Sequence, residues 1–184
     1  MRKILGIVGS PRRDGNTHIL VSRILEGARQ GGATAEELFL NDLRIEECDG
    51  CHACWAADEC SKNDDMAAVY PRIIDSDVLV FGTPVYWYGP TALMKGFIDR
   101  LVYFNSPEHR AKIRGKAAVM AVVLEEKNPD TYTPTVQFFE RCFAYLELAE
   151  AGRIIVPGVT AKGEILEHPD RLEEALELGK SLAR

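Results

Sequence analysis

The stretch KILGIVGSPRRDGNTHIL, residues 3–20, decides the fold. Its first part, Lys3–Val8, is a short apolar run rich in β-branched side chains, which predicts a buried strand. Glycine, proline and polar residues follow and predict a loop. Apolar residues then recur at helical spacing until Gly31 and Gly32, so we expect a helix over Thr17–Arg29. Strand, loop and helix in this order are typical of an α/β fold.

Short apolar runs and helical patterns alternate along the rest of the chain. The predicted strands are Glu36–Leu40, Val78–Phe81, Lys116–Leu124 and Arg153–Val156, and the predicted helices are Asp65–Asp75, Thr91–Phe104, Thr133–Leu148 and Asp170–Leu182. Strict alternation with continuously apolar strands predicts a doubly wound parallel sheet with helices on both faces. Five strands suit the flavodoxin-like order 2-1-3-4-5. We expect one domain over residues 1–184, with a cysteine-rich loop inserted at about residues 45–63.

The composition narrows the class of protein. The chain has 184 residues, 46% of them hydrophobic, and a net charge of −6. That charge argues against a nucleic-acid surface, which needs a basic face. The N-terminal apolar stretch is too short for a signal peptide or a membrane helix. We therefore expect a cytoplasmic protein with no nucleic-acid or membrane partner, whose cysteines stay reduced.

The loop after the first strand suits a phosphate group. In a doubly wound sheet, ligands bind at the carboxyl ends of the strands, beside the point where the strand order reverses. Gly9 and Gly15 allow a close approach of the backbone, and the next helix begins with unpaired N–H groups. The polar and basic side chains of this loop are Ser10, Arg12, Arg13, Asn16 and Thr17. A plain capped turn is the alternative, since the loop is neither Walker A nor G-x-G-x-x-G.

The loop after the third strand, GTPVYWYGP at residues 82–90, contains three consecutive aromatic residues. Exposed aromatic side chains in a loop are costly without a partner. A flat aromatic cofactor would supply that partner, with backbone N–H groups bonding to its ring atoms. The alternative is that one or two of these side chains pack on the next helix or line a dimer interface.

The run CDGCHACWAADEC, residues 48–60, holds four of the five cysteines. Cys48, Cys51, Cys54 and Cys60 are spaced C-x2-C-x2-C-x5-C, which suits one [4Fe-4S] cubane. A structural zinc site usually draws two ligand pairs that lie a dozen or more residues apart. Unliganded cysteines and a thiol pair that cycles to a disulfide are further alternatives. Acidic residues flank the run and would lower the potential of a cluster: Glu46, Glu47, Asp49, Asp58 and Glu59.

Three segments together resemble the NAD(P)H-dependent FMN reductase family, and more narrowly its iron–sulfur flavoprotein branch: GSPRRDGNT, CDGCHACWAADEC and GTPVYWYGPTALMKGFIDR. The resemblance covers residues 1–104 well. It implies an FMN site whose phosphate end is formed by Ser10, Arg12, Gly15, Asn16 and Thr17. It implies contacts to the ring and ribityl chain from Thr83, Pro84, Val85, Tyr86, Trp87 and Tyr88. Lys95, Asp99 and Arg100 belong to the same signature, and we interpret them as structural or interfacial.

The segment after the fourth strand departs from the family pattern. Members often carry a glycine pair there, whereas this chain has Glu125-Glu126-Lys127-Asn128-Pro129. Carboxylates near a flavin disfavour its reduced anionic form and lower its potential. We therefore expect the glutamates to lower the flavin potential if they lie at the cofactor.

The resemblance also implies an activity. It implies a flavin-dependent oxidoreductase with FMN and a [4Fe-4S] cluster, and no catalytic side chain of its own. Electrons would pass from NAD(P)H or a ferredoxin-like donor to a small-molecule acceptor, in a homodimer or homotetramer. The first alternative is a cluster-free NAD(P)H-dependent reductase of FMN, quinones or nitro compounds. The second is a zinc-stabilised module that has lost the flavin.

Overall fold

The computed structural model describes residues 1–57 and 59–184, so the flanking acid Asp58 lies outside the described residues. The first strand, β1 (Lys3–Val8), lies inside a five-stranded parallel sheet. The other strands are β2 (Thr34–Phe39), β3 (Val78–Pro84), β4 (Ala117–Leu124) and β5 (Ala149–Pro157). Their order is β2-β1-β3-β4-β5, which confirms the predicted doubly wound order.

Helices lie on both faces of this sheet. The α-helices of the described chain are α1 (Asn16–Gln30), α2 (Ala53–Ala56), α3 (Met66–Asp75), α4 (Ala92–Arg100), α5 (Pro107–Ile113), α6 (Pro129–Leu146) and α7 (Pro169–Leu182). Within the described ranges, no helix is long and apolar enough to cross a membrane.

The structure differs from the predicted elements in several places, including α6, which begins at Pro129 rather than Thr133. The predicted helix Thr91–Phe104 ends at Arg100, and a 3-10 helix, Leu101–Asn105, follows it. Helix α5 was not predicted, although Ser106 caps it by accepting a hydrogen bond from the His109 N–H and Pro107 occupies its first turn. The last strand begins at Ala149 rather than Arg153. Its first residues pair with β4 but are exposed, so they do not form the apolar run on which the prediction was based.

Two hydrophobic clusters explain why β1 is apolar throughout. Leu5 and Ile7 pack in the cluster on the face covered by α3, α4 and α6. Ile4 and Val8 pack in the cluster on the face covered by α1 and α7. Successive side chains of a strand point to opposite faces, so a strand buried on both sides reads as a continuous apolar run.

Glycines let α1 and α7 approach each other closely. A Cβ atom on Gly27 would lie 2.0 Å from the Leu176 carbonyl oxygen, and one on Gly179 would lie 2.0 Å from the Ile24 carbonyl oxygen. Both contacts are with backbone atoms, which cannot turn aside as a flexible side chain can. The position of α1, whose first turn borders the site described below, therefore depends on these two residues.

We expect Gly27→Ala to lower the free energy of unfolding by about 1–3 kcal/mol, because the added methyl group forces the two helices apart. The matched control is Gly96→Ala in α4, where the added Cβ meets no atom within 4 Å beyond its own helix backbone and chain neighbours. That control should raise stability by about 0.5–1 kcal/mol, since alanine is the better helix former. Urea titration measures both, and an unchanged Gly27→Ala protein would contradict the close packing.

Candidate functional site

A pocket of about 360 Å³ lies at the carboxyl ends of the strands. The loop after β1 contributes Ser10, Arg12, Gly15, Asn16 and Thr17 to its lining. The segment after β3 contributes Pro84, Val85, Tyr86 and Trp87. The structure therefore brings together most residues of the two predicted loops, at the edge of the sheet where ligands bind in this fold.

The first turn of α1 is built to face an anion. Gly15, which has no side chain, occupies the N-cap position. The positive end of the helix dipole and the N–H groups of this turn therefore border the pocket. Ser10 and Thr17 are buried, and the Ser10 hydroxyl accepts a hydrogen bond from the Arg12 N–H at 3.2 Å.

The side chains of the two neighbouring arginines in this loop have different partners. Arg12 lines the pocket, and its Nη1 donates to the Thr160 carbonyl oxygen at 3.3 Å. Arg13 instead pairs with Asp42, and its guanidinium carbon lies 4.5 Å from the centre of the Phe39 ring. Arg12 is therefore the cation that this loop offers to a ligand.

The Asn16 side chain holds another loop. Its Nδ2 donates to the Ala161 carbonyl oxygen at 3.0 Å, and its Oδ1 accepts from the Ile165 N–H at 3.2 Å. Both polar atoms of the amide are therefore used inside the protein. Asn16 can serve a phosphate through its backbone N–H at the start of α1 rather than through its side chain.

The loop after β5 also lines the pocket, and sequence reasoning missed it. It contributes Val159, Thr160 and Lys162. Glu164 fixes the loop by accepting hydrogen bonds from the Thr160 and Ala161 N–H groups, at 2.6 and 2.7 Å, and these bonds lower the pKa of Glu164. The signal was available, because the predicted strand order places the end of β5 at the same edge of the sheet.

The end of β4 completes the lining with Val123, Leu124 and Glu125. The first of the two glutamates in the divergent segment thus borders the pocket. A carboxylate at this position makes the local potential more negative, which opposes a second negative charge on a bound group.

The aromatic loop forms a strained turn. The Tyr86 N–H donates to the Gly89 carbonyl oxygen at 2.8 Å, and the Gly89 N–H donates back at 3.1 Å. Between them, Trp87 has φ 50° and Tyr88 has φ 66°, in the left-handed region. This conformation costs about 1–2 kcal/mol per non-glycine residue. Trp87 is 96% exposed at the tip of the turn.

Thr83 and Tyr88, although predicted in the site, do not line the pocket among the described residues. Thr83 is fully buried; its hydroxyl donates to the Pro84 carbonyl oxygen and accepts from the Thr91 N–H. The Tyr88 carbonyl oxygen accepts a hydrogen bond from the Thr135 hydroxyl at 3.0 Å. The Thr83 hydroxyl and the Tyr88 carbonyl oxygen therefore hold the loop in shape, while the Tyr88 side chain is exposed.

Thr91 joins the first and third loops to α4. Its hydroxyl donates to the Gly9 carbonyl oxygen and accepts from the Met94 N–H, so it also caps the helix. Helix α4 is nine residues long, so its other end lies about 13 Å away.

A second, smaller pocket lies at that other end. Its volume is about 20 Å³. Its lining includes four cysteines, Cys48, Cys51, Cys54 and Cys60. Cys54 is buried, and burial together with the neighbouring Cys60 raises the pKa of its thiol. The sequence spacing thus brings the four thiols to one place.

The four thiols do not form a metal site as they are placed. Over residues 1–57 and 59–184, no group of three or more Cys, His, Asp or Glu side chains could hold a metal ion. The pocket has room for about one water molecule, so a four-iron cluster would require the loop to move outward. The predicted ligands therefore share a pocket without having the distances of a ligand set.

Arg100 fixes this cysteine loop. Its guanidinium, 1% exposed, pairs with the fully buried carboxylate of Asp64. It also donates to the Glu46 carbonyl oxygen at 2.8 Å and to the Cys60 sulfur at 3.3 Å. Burial acts to raise the pKa of Asp64, but its hydrogen bonds with Arg100 and the Glu46 N–H outweigh burial, so the pKa is lowered.

Lys95 and Asp99, which belong to the same sequence signature as Arg100, form a half-exposed ion pair on α4. Their oppositely charged groups lie 2.6 Å apart, four residues along one helix. Such pairs stabilise a helix only slightly. This placement agrees with the structural or interfacial interpretation of these residues.

The family described as NADPH-dependent FMN reductase matches residues 2–128 of this chain. An iron-sulfur flavoprotein of Archaeoglobus fulgidus is 35% identical over 121 residues, covering 66% of this chain and 54% of that relative. Another from the same organism is 37% identical over 118 residues, covering 64% and 58%. This chain thus spans less than two thirds of the length of either relative.

A relative of Bacillus subtilis, called putative NAD(P)H-dependent FMN-containing oxidoreductase YwqN, is 27% identical over 182 residues, covering 97% of each chain. Solved structures support the fold. The Trp repressor binding protein of Bacillus subtilis has a TM-score of 0.69 at 23% identity, covering 95% of this chain and 96% of that one. The flavodoxin, WrbA-like protein of Agrobacterium tumefaciens has a TM-score of 0.63 at 20% identity, covering 100% of this chain and 96% of that one.

We expect Arg100→Met to lower the free energy of unfolding by about 3–5 kcal/mol at pH 7, because it leaves the Asp64 carboxylate buried without its counter-charge. The matched control is Lys95→Met on the same helix, which should cost about 0.5 kcal/mol or less. Urea titration of both variants measures the difference.

The pH dependence gives a second readout of the same pair. In the wild type the pKa of Asp64 is lowered, so its contribution to stability is present above the unfolded value of about 3.9 and is lost as the pH falls through the folded value. Without Arg100, burial dominates and raises that pKa, so the variant gains stability as the pH falls. The difference in the free energy of unfolding between wild type and Arg100→Met should therefore shrink between pH 7 and pH 4. A difference that stays constant over this range would contradict the pairing.

Proposed function

Because the chain belongs to the NADPH-dependent FMN reductase family, we propose that it binds FMN and acts as a flavin-dependent oxidoreductase. In this proposal NAD(P)H or a ferredoxin-like carrier supplies electrons, and a small molecule accepts them. The observation that carries the proposal is the pocket at the carboxyl edge of the sheet, where an anion-binding helix terminus and an aromatic turn meet. A phosphate attached to a flat ring system matches that combination.

The phosphate of FMN would lie at the first turn of α1. We assign its contacts to Ser10, Arg12, Gly15, Asn16 and Thr17, with Asn16 acting through its backbone. The phosphate carries up to two negative charges, which the helix terminus and the Arg12 guanidinium would balance. These residues bind and orient the cofactor and transfer no proton.

The ring and ribityl chain would lie along Pro84, Val85, Tyr86 and Trp87. Thr83 and Tyr88 would act indirectly, by holding the loop in shape. When bound, FMN supplies the capacity to accept a hydride or single electrons, so the protein needs only to orient it and control water. Glu125 would lie near the cofactor and make its reduced anionic form less stable.

We further propose a [4Fe-4S] cluster on Cys48, Cys51, Cys54 and Cys60. Two observations support it: these cysteines line one pocket, and several relatives are named iron-sulfur flavoproteins. The thiols must move outward to hold a cluster, and Arg100 would then lie beside the Cys60 ligand. A cluster would suit a one-electron donor of the ferredoxin type, whereas its absence would favour the cluster-free NAD(P)H-dependent reductase.

Domain organisation and assembly are part of the same proposal. We propose a single FMN-binding domain over residues 1–184, with about residues 45–63 as an insertion that carries the cysteines. The family resemblance favours a homodimer or homotetramer.

We expect Arg12→Gln to weaken FMN binding by about 10- to 100-fold, the loss of one charge-assisted hydrogen bond to a phosphate. Arg13→Gln is the matched control, because Arg13 is paired with Asp42 outside the pocket. Titration of flavin-free protein with FMN, followed by quenching of flavin fluorescence, gives both dissociation constants. Equal losses in the two variants would contradict the assigned role of Arg12.

The cluster is tested by measuring iron and acid-labile sulfide in protein purified without oxygen. We expect about four of each per FMN. Cys60→Ser should lose the iron, whereas Cys142→Ser, which lies in α6 and not at the small pocket, should keep it. FMN without iron or sulfide would refute the cluster and leave the cluster-free reductase.

A further inference from the structure

We propose that His18 positions the loop after β1 for the phosphate of FMN, by accepting a hydrogen bond from the Asp14 N–H, and that protonation of its imidazole weakens FMN binding. This inference rests on the proposed function, because it concerns the phosphate end of the same site. It gives a titratable side chain outside the lining of the large pocket control over the residues inside it.

The contact between His18 and Asp14 is the first observation. His18 lies in the first turn of α1, and its Nδ1 accepts a hydrogen bond from the Asp14 N–H at 2.8 Å. A backbone N–H can only donate, so Nδ1 carries no proton and the proton of the neutral ring lies on Nε2. Nε2 lies 3.0 Å from Glu37 Oε1 in β2 and donates to it. The two contacts therefore specify one tautomer of a neutral imidazole.

The imidazole is held firmly enough to support a loop. Its side chain is 15% exposed, and its ring lies 5.5 Å from the ring of Phe39 at the end of β2. The other carboxylate oxygen of Glu37 accepts a hydrogen bond from the Ser22 hydroxyl at 3.0 Å, which fixes the partner of Nε2 as well. Contacts from both α1 and β2 thus determine where Nδ1 lies.

The backbone at Asp14 is the second observation. Asp14 has φ 56°, in the left-handed region, which non-glycine residues adopt uncommonly and which contacts from outside must help to maintain. The next residue, Gly15, is the N-cap of α1, and its N–H donates to the Arg12 carbonyl oxygen at 3.1 Å. Arg12 and Gly15 both line the large pocket. The bond to His18 therefore holds the turn that places two of the residues we assign to the phosphate.

Protonation of the ring removes this bond. Nδ1 then carries a proton and faces the Asp14 N–H as a second donor, so neither group can accept from the other. The Asp14 carboxylate, whose Oδ1 lies 3.5 Å from Nδ1, becomes the acceptor for the new proton. Asp14 thus exchanges a backbone contact for a side-chain contact, and the turn between Arg12 and Gly15 loses its support.

The charged groups around the imidazole come from the loop after β1, from β2 and the turn that follows it, and from α1 and α7. They are Asp14, Arg13, Glu37, Asp42, Arg23, Glu26 and Glu173. Apart from Asp14 and Glu37, they pair with one another. A cleft of about 540 Å³ between α1 and α7 borders His18 and gives water access to the ring. Histidine is the side chain that usually changes charge between pH 5 and pH 8, so the test covers that range.

The test titrates flavin-free protein with FMN at pH 8 and at pH 5.5 and follows the quenching of flavin fluorescence. The phosphate of FMN also gains a proton in this range, so the readout is the ratio of the dissociation constant at pH 5.5 to that at pH 8, compared between proteins. We expect the ratio of the wild type to exceed that of His18→Asn by about three- to tenfold, the effect of one hydrogen bond.

Two substitutions separate the Asp14 bond from the Glu37 contact. His18→Asn places an oxygen near the position of Nδ1 that accepts from the Asp14 N–H and does not titrate, so it should keep the wild-type affinity at pH 8. His18→Gln places its amide near the position of Nε2, so it keeps the Glu37 contact and should bind FMN about three- to tenfold more weakly at pH 8. The matched control is His168→Asn, which lies outside both pockets and should keep the wild-type ratio.

Two results would overturn the inference. Equal ratios in the wild type and His18→Asn would show that protonation of His18 does not reach the site. Equal affinities of the wild type and His18→Gln at pH 8 would show that the Asp14 bond does not support it, and this comparison stands even where His18→Asn does not fold. A wild type that binds no FMN at pH 8 would refute the proposed function itself. That failure is distinguishable, because the other two results are obtained from a wild type that binds FMN.

Discussion

The buried ion pair between Arg100 and Asp64 fixes the cysteine loop to the end of α4, and α4 reaches from there to the large pocket. Arg100 ends α4 and holds the cysteine loop through Asp64, Glu46 and Cys60. At the other end of α4, Thr91 holds the loops after β1 and β3. One short helix thus joins the large pocket to the thiols.

The strand order and the two pocket loops could be predicted, because both follow from local patterns. Alternating apolar runs determine the sheet, and the sheet determines which loops meet at its carboxyl edge. The unpredicted parts depend on contacts between distant residues. The strand order places the end of β5 at the edge of the pocket, but the bonds of Asn16 to Ala161 and Ile165, which hold the loop there, follow from no local pattern. Likewise, the contacts of Arg13 with Asp42 and Phe39 explain why Arg12, and not Arg13, faces the pocket.

The cysteines show where spacing stops being informative. Their spacing predicted the four ligands of one cluster; the structure places all four at one pocket, but in the described residues they do not form a metal site. Ligand distances depend on the backbone between the cysteines, including His52, which has φ 57°, and Gly50, which has φ 70°. Left-handed residues redirect the chain within one or two positions, so small changes there move the sulfur atoms apart or together. The spacing of cysteines along the sequence does not specify these distances between sulfur atoms.

The contact of Asn16 with Ala161 and Ile165 also has a consequence for synthesis of the protein. The loop after β1 is made before its support, which lies about 145 residues further along the chain. At about 5–20 residues per second, a ribosome needs roughly ten seconds or more to produce that support. Until then the lining of the large pocket is incomplete, and it cannot fully enclose a ligand. Complete enclosure of a bound molecule therefore follows the synthesis of the last strand.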